Sequence, residues 1–328
     1  MLLDVQNLSI SFRTPRGLLP VVEDVSFQLA ESEILAIVGE SGSGKSLTAL
    51  SIMRLITDPN AIITGKILFK GEDILTLKEP AMRRLRGGAM AMIFQDPMTA
   101  LTPVYTIGAQ IVEQIRIHTK LPTWQARLRA ESLLAAMGIA DAQQISRRFP
   151  HQLSGGMRQR VMIAMALSCS PALLIVDEPT TALDVTVQAQ ILELLLKLRK
   201  EFNSSILLIT HDMGIVAQTA DRVAVMYAGR IAESGATGDI FAHPMHPYTA
   251  GLLAAIPQLH GPRINAFSAI PGAPPAPHEK PAGCAFAPRC AFATDQCREE
   301  RPELEAADEP GHTFACWNPL PVTEGVPA

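Results

Sequence analysis

Residues 39–46 read Gly-Glu-Ser-Gly-Ser-Gly-Lys-Ser, the Gly-x-x-x-x-Gly-Lys-Ser spacing of a loop that cradles phosphate. The chemistry this pattern offers is anion binding. Gly42 and Gly44 allow the backbone to turn its N–H groups inward around an anion. A helix opening at Lys45 adds roughly half a positive charge at the same point. Lys45 would reach the β- and γ-phosphates of a nucleotide, and the Ser46 hydroxyl would ligate Mg²⁺. A second pattern is Asp177-Glu178, where the apolar run Leu173 to Val176 delivers two adjacent carboxylates. Asp177 suits Mg²⁺ held through water, and Glu178 suits polarising the water that attacks a terminal phosphate. His211 follows the apolar run Ser205 to Ile209 in the same way. At Ser154-Gly155-Gly156 a serine can cap a helix whose two glycines leave its amides bare, either as a plain cap or as a second anion-binding start.

Four cysteines, Cys284, Cys290, Cys297 and Cys316, crowd into the last 45 residues with gaps of five, six and eighteen. Structural zinc usually takes short Cys-x₂₋₄-Cys pairs, whereas a Cys₄ iron–sulfur cluster tolerates wider spacing. Spacing alone does not choose the metal, and four reduced cysteines packing a small tail is the plain alternative. Cys169 stands alone in an expected apolar helix and reads as a buried structural thiol.

The elements that must position these groups follow from periodicity. Glu33 to Val38 is a short apolar run with the character of a buried strand, so the phosphate loop joins a strand to a helix. Leu2 to Phe12 alternates as a strand, and Val21 to Leu29 is its expected hairpin partner. Phe12, just before the turn at Pro15 and Gly17, is either an aromatic that stacks on adenine or an ordinary strand residue. Strands are also expected at Ile67 to Ile74 and Met90 to Phe94, the latter ending at Gln95. From Thr106 to Ala140 the period turns helical, with Ile107, Ile111, Ile115, Leu128, Leu133, Leu134 and Met137 marking two amphipathic segments broken near Pro122. Asp184 precedes a helix expected from Thr186 to about Phe202. Alternating strands and helices imply an α/β fold with a parallel sheet, whose ligands bind at the carboxyl ends of the strands. Residues of about 97–160 contribute few strands and read as a helical subdomain inserted between the phosphate loop and the acid pair. After about residue 235 the character changes to a turn-rich anchor, a Pro-rich stretch at Gly272 to Pro281 and the cysteines.

At 328 residues, 48% of them hydrophobic, there is length for about two domains with a sizeable core. The net charge of −4 argues against a nucleic-acid binder. The N-terminus has no basic region or long apolar core, so no signal peptide is expected. The run Val161 to Val176 falls short of the about 18 residues a spanning helix needs and is split by Pro171, so the chain is expected to be cytoplasmic.

The phosphate loop, Gln95, Leu-Ser-Gly-Gly-Met at 153–157, the acid pair, Asp184 and His211 occur here in the order found in one family. The chain resembles the ATPase subunit of ABC transporters over residues 1–235, with 236–328 as an extension. The resemblance implies a P-loop NTPase core whose two copies close head to tail over two ATP molecules. It implies that Gly39, Ser41, Gly42, Ser43, Gly44, Lys45 and Ser46 hold phosphates and Mg²⁺, and that Gln95 contacts Mg²⁺ and couples to the membrane partner. It implies that Ser154, Gly155 and Gly156 cap the γ-phosphate held by the other subunit. Glu178 would be the catalytic base, His211 the γ-phosphate sensor, Asp184 a residue of the dimer seam, and Phe12 the adenine-stacking aromatic. The stretches Ile93 to Thr99, His246 to Thr249 and Gly283 to Cys290 are similar to the dipeptide and oligopeptide importers. That group implies two transmembrane permease subunits, a second ATPase subunit (identical or paralogous), an extracytoplasmic solute-binding protein and a peripheral place on the cytoplasmic face of the inner membrane. It also implies a [4Fe-4S] cluster on the four cysteines, with Zn²⁺ the alternative. Met157 and Thr102 depart from the broad family pattern without touching the catalytic positions. Another cargo such as nickel, or a soluble ABC ATPase of DNA repair or translation, are the competing readings. The repair type carries a long coiled coil and the translation type two cassettes, and neither pattern is present here.

Overall fold

The computed structural model describes residues 1–94, 101–178, 193, 196, 197, 199, 203–256 and 270–321. Strands β1 (Leu3–Thr14) and β2 (Gly17–Leu29) form the expected hairpin. Gly17 makes its tight turn at a φ of 114°, a region that only glycine enters freely. On the other side of β1 lie β4 (Ala61–Phe69) and β5 (Glu72–Asp73), giving an antiparallel sheet in the order β2-β1-β4-β5.

The second sheet holds the site. It contains β3 (Ile34–Val38), β6 (Met90–Ile93), β7 (Leu173–Asp177), β8 (Ser205–Thr210), β9 (Arg222–Tyr227) and β10 (Arg230–Ala236). Two short strands, β11 (Glu305–Ala306) and β12 (Thr313–Phe314), complete the order β11-β12-β10-β9-β3-β8-β7-β6. The pairs from β9 to β6 are parallel and those from β9 to β11 antiparallel. Parallel strands bury both faces, so they read as continuous apolar runs. The two-residue period then sorts them between two cores. Ile34, Ala36 and Val38 of β3 face one core, while Leu35 and Ile37 face the other, against the antiparallel sheet. Burying each of the Ile, Leu and Val side chains contributes about 1.5–3 kcal/mol.

The helices sit around this sheet. Helix α1 (Lys45–Ile52) leaves the phosphate loop, and α2 (Glu79–Leu85) follows β5. Then come α3 (Ile107–His118), α4 (Thr123–Ala136), α5 (Ala142–Ser146) and α6 (Gly155–Leu167). Thr106 caps α3 by accepting the Ala109 N–H, and Ile107, Ile111 and Ile115 are buried at helical spacing. On α4 the buried stripe is Ala126, Ala130, Leu133 and Leu134. Leu128, expected on that face, falls off the stripe and is 56% exposed. Cys169 lies past the end of α6 in a turn, half-buried, with its Sγ 3.7 Å from the Gln114 carbonyl oxygen. The helix expected from Thr186 falls largely outside the described residues.

Helix α7 (Met213–Thr219) follows β8, and α8 (Thr237–Ala242) and α9 (Pro247–Ala254) follow β10. The chain beyond β10 is tied to the main sheet. Strand β12 pairs with β10, and the fully buried Glu233 of β10 accepts the N–H groups of Met245 and His246 and pairs with the His312 ring. Residues 272–281 are irregular, and a short helix α10 (Asp295–Glu299) carries Cys297.

Candidate functional site

Strands β3, β7 and β8 run parallel and end side by side, so Gly39, Glu178 and His211 emerge at one edge of the sheet. Ligands of open α/β sheets bind at this edge. The loop that follows β3 is bound tightly to the rest of the site. A side chain at Gly39 would run into the Met226 carbonyl oxygen, and its φ of 152° suits glycine. Gly44 takes a φ of 100° and opens α1 without any side-chain cap, which leaves the first amides of the helix bare for an anion. A side chain at Gly42 would meet nothing within 4 Å, so the rim of the cradle is open.

Lys45 is turned inward and only 4% exposed. Its Nζ donates to the carbonyl oxygens of Gly39 at 2.8 Å and Glu40 at 2.9 Å. Burial lowers its pKa, opposed by the negative charges of Glu178, Asp177 and Glu40. Ser46 Oγ donates to Asp177 Oδ1 at 3.1 Å. Burial raises the Asp177 carboxyl, the Ser46 hydrogen bond opposes that rise, and Glu178 adds to it. A buried carboxylate beside a hydroxyl is a hard-oxygen pair of the kind Mg²⁺ takes, so the residues present fit that ion and a polyphosphate. Glu178 sits at a φ of 43°, a conformation rare for a side-chain-bearing residue and concentrated at functional sites. His211 Nδ1 lies 3.4 Å from its Oε1. A cavity of about 880 Å³ joins Gly39 to Leu47 with Glu178 and His211.

Ser41, Gly42, Ser43, Gly44, Lys45, Ser46, Glu178 and His211 are thus brought together, with Asp177 bonded to Ser46 at its edge. Phe12 is not among the cavity's lining residues; it is half-buried against the core under the antiparallel sheet, where the strand's alternation puts it. Ser154, Gly155 and Gly156 do not line the cavity either. Ser154 Oγ accepts the Met157 N–H at 3.4 Å as a helix cap, and a side chain at Gly155 would meet nothing within 4 Å. Gln95 and Asp184 lie outside the described residues.

Residues missed at the sequence level come from the end of the chain. Leu252, Pro274, Pro275, Ala276 and Pro277 line the same cavity. The Tyr248 hydroxyl accepts the Glu40 N–H at 2.9 Å, and Arg289 forms a two-pronged ion pair with the Glu40 carboxylate. The sequence marked Tyr248 and the Pro-rich stretch as features but carried no signal that joined them to residue 40.

Cys284, Cys290, Cys297 and Cys316 line one small cavity with His246, Phe286 and Trp317. None forms a disulfide. Among the described residues, no group of three His, Cys, Asp or Glu side chains is arranged to hold a metal ion. Burial raises the Cys284 and Cys290 thiols and pushes Cys316 up to about 11. Metal ligation needs the thiolate.

A strand, a glycine loop closing on an inward lysine, and a serine facing an aspartate at the end of a second parallel strand define a P-loop nucleotide-binding fold. The comparisons with known proteins narrow that class. Residues 22–181 match the ABC transporter family, and residues 232–297 match the C-terminal region of oligopeptide/dipeptide transporters. An AAA domain of a putative toxin system overlaps the same core over residues 146–217. The chain is 48% identical over 97% of its length, and 95% of the relative's, to a probable peptide ABC transporter ATP-binding protein of Sinorhizobium fredii. It is 49% identical, over 96% of both chains, to the oligopeptide transport ATP-binding protein AppD of Bacillus subtilis. Among solved structures, the cbiO1 cassette of Clostridium perfringens aligns at a TM-score of 0.62 and 28% identity, covering 74% of this chain and 90% of that one. The dimeric cassette MJ0796 bound to ADP and Pi aligns at 0.64 and 24%, covering 72% and 98%, and bears on the fold alone. The chain belongs to the ATP-binding proteins of the ABC transporter family and is an ATPase of that family.

Proposed function

We propose that this chain hydrolyses ATP to power the import of dipeptides and oligopeptides through an ABC transporter. The observation that carries the reading is the match over nearly the whole chain, extension included, to relatives named as peptide or oligopeptide transport ATP-binding proteins. Gly39 to Ser46 cradle the phosphates, with Lys45 neutralising the β- and γ-phosphates. Ser46, Asp177 and Gln95 hold Mg²⁺, which supplies charge neutralisation at the phosphates. Glu178 accepts the proton of the attacking water, and the His211 ring, 3.4 Å away, aligns that carboxylate and senses the γ-phosphate. Ser154, Gly155 and Gly156 act on the nucleotide of a second ATPase subunit, identical or paralogous, a reading supported by their absence from the lining of this chain's own cavity. Asp184 lies at the seam between the two, and Phe12 flanks the adenine side.

The subunit works peripherally at the cytoplasmic face of the membrane with two permease subunits and an external solute-binding protein. Among the described residues no helix is long and apolar enough to cross a membrane. Gln95 couples the nucleotide site to the permease. The four cysteines ligate a [4Fe-4S] cluster once deprotonated, supported by their gathering around one cavity without a disulfide. Protein purified without oxygen then carries iron and acid-labile sulfide; zinc in their place overturns the cluster.

The test is transport. Deleting the gene abolishes uptake of labelled dipeptides and oligopeptides, the unsubstituted gene restores it, and a Glu178→Gln gene does not. Retained uptake in the deletion strain, with no paralogue compensating, overturns the peptide cargo. Restoration by Glu178→Gln overturns the base assignment.

A further inference from the structure

Glu40, the second residue of the phosphate loop, is gripped by the far end of the chain. Arg289 Nη1 lies 2.6 Å from its Oε2 and Nη2 lies 3.0 Å from its Oε1, the fork-on-carboxylate geometry that is stronger and more directional than a single ion pair. The Arg289 side chain is only 5% exposed. The same guanidinium donates from Nε to the Pro271 carbonyl oxygen at 2.8 Å and from Nη2 to that of Gly272 at 3.4 Å. It therefore fastens the start of the Pro-rich stretch to the phosphate loop. That stretch runs along the cavity wall as Pro274 to Pro277 and is fastened again at Lys280. The Lys280 ammonium donates to the Pro20 carbonyl oxygen at 3.2 Å and pairs with Glu23 at 2.8 Å. A strap rich in proline has little backbone freedom to lose, so it keeps its shape against a ligand.

The electrostatics give the grip a purpose. A carboxylate within a phosphate-binding loop repels a polyphosphate, and the charge of Glu40 acts on Lys45 itself. The guanidinium neutralises that carboxylate and fixes the peptide whose carbonyl holds Lys45 Nζ at 2.9 Å. We propose that Arg289 is a positioning residue of the nucleotide site, and that with the strap it anchors it makes the C-terminal extension a structural part of that site and a determinant of ATP affinity. The inference rests on the reading that the phosphate loop binds ATP.

The experiment measures MgATP affinity by calorimetry and steady-state ATPase kinetics on the full-length chain. Arg289→Gln leaves Glu40 unpaired and weakens MgATP binding about tenfold, equivalent to about 1.4 kcal/mol, with KM rising more than kcat falls. Arg289→Lys recovers part of the affinity, because it keeps the charge and loses the fork. Glu40→Gln alone binds at least as tightly as the unsubstituted chain. Combined with Arg289→Gln it restores affinity, since the repelling carboxylate is gone. Arg298→Gln, an exposed arginine paired with Asp295 in the same extension, changes neither constant. Affinity of Arg289→Gln within twofold of the unsubstituted chain overturns the proposal. So does a double variant no better than Arg289→Gln, which is what a merely structural bridge would give, or a weakened Glu40→Gln, which is informative even where Arg289→Gln does not fold. Lys45→Ala separates the two readings: retained ATP affinity in that variant refutes the phosphate-loop reading whatever Arg289 does.

Discussion

Replacing Tyr248 by Phe removes one oxygen atom, and its cost follows from the contacts of that atom. The Tyr248 ring is fully buried and packs on Tyr227 at 4.6 Å and Phe286 at 5.4 Å between centroids. Phenylalanine keeps those contacts. What is lost is the acceptor of the Glu40 N–H at 2.9 Å. Leaving a backbone donor without a partner costs about 1–3 kcal/mol. Glu40 is half-exposed, so water reaches its amide in part and the lower half of that range, about 1–2 kcal/mol, applies. At about 2.1 cal/mol/K per residue, 328 residues give an unfolding entropy of about 0.7 kcal/mol/K. The expected fall in Tm is therefore about 1.5–3 °C. Calorimetry of the nucleotide-free chain reads it, with Tyr105→Phe as control because Tyr105 is 57% exposed. Amide hydrogen exchange in residues 39–46 should quicken in Tyr248→Phe alone. A Tm equal to that of Tyr105→Phe, with unchanged exchange in the loop, would refute the claim that this hydroxyl holds the phosphate loop.

Lys45→Ala should abolish measurable MgATP binding, read by calorimetry, because the inward ammonium is the cation of the cradle; unchanged affinity would contradict the cradle. Asp177→Asn should raise Tm at pH 7 without Mg²⁺ or nucleotide while ATP turnover falls. Burial and Glu178 raise the Asp177 pKa, so its contribution favours folding below the unfolded value and is lost as pH rises through the folded one; a lower Tm at pH 7 would refute this. Glu23 has the opposite sign. Burial works to raise it, but Lys280 and Arg301 hold it below the ordinary 4.5, so its stabilisation is present above that pH and lost as pH falls through the folded pKa. Glu23→Gln should therefore lower Tm at pH 7 and converge with the unsubstituted chain in acid, and a difference in Tm that persists unchanged into acid would oppose the pairing.

The sequence was most legible where local pattern and chemistry coincide. The run Glu33 to Val38, the glycines and Lys45 specify strand, turn and helix within fourteen residues, because each backbone requirement is met by its own residue type. The parallel ends of β7 and β8 were legible for a similar reason: apolar runs that stop at Asp177-Glu178 and at Thr210-His211 can face solvent only there. Leu128 was misplaced because α4 has almost no apolar asymmetry, and its inner stripe is built largely of alanines. Phe12 is half-buried against the core under the antiparallel sheet because strand period decides which way a side chain points. The cysteines were read for metal by their spacing, yet spacing along a chain does not fix thiol geometry or ionisation. The contacts of Tyr248 and Arg289 with Glu40 were beyond sequence reasoning altogether, since nothing local relates residues 208 and 249 positions apart.

Those separations bear on how the protein comes into being. Strand β3 is sandwiched between β8 and β9, and the phosphate loop beyond it is fastened by Tyr248 and Arg289. A ribosome adding about 5–20 residues per second needs about 12–50 s to travel from Ser46 to Arg289. Strands β8 and β9, between which β3 lies, are complete only once residue 227 is made, and the Arg289 clasp is missing throughout that interval. Assembly of the nucleotide site is therefore a late event in biosynthesis, and a messenger truncated before codon 289 would yield a chain that carries the phosphate-loop motif without the clasp that holds it.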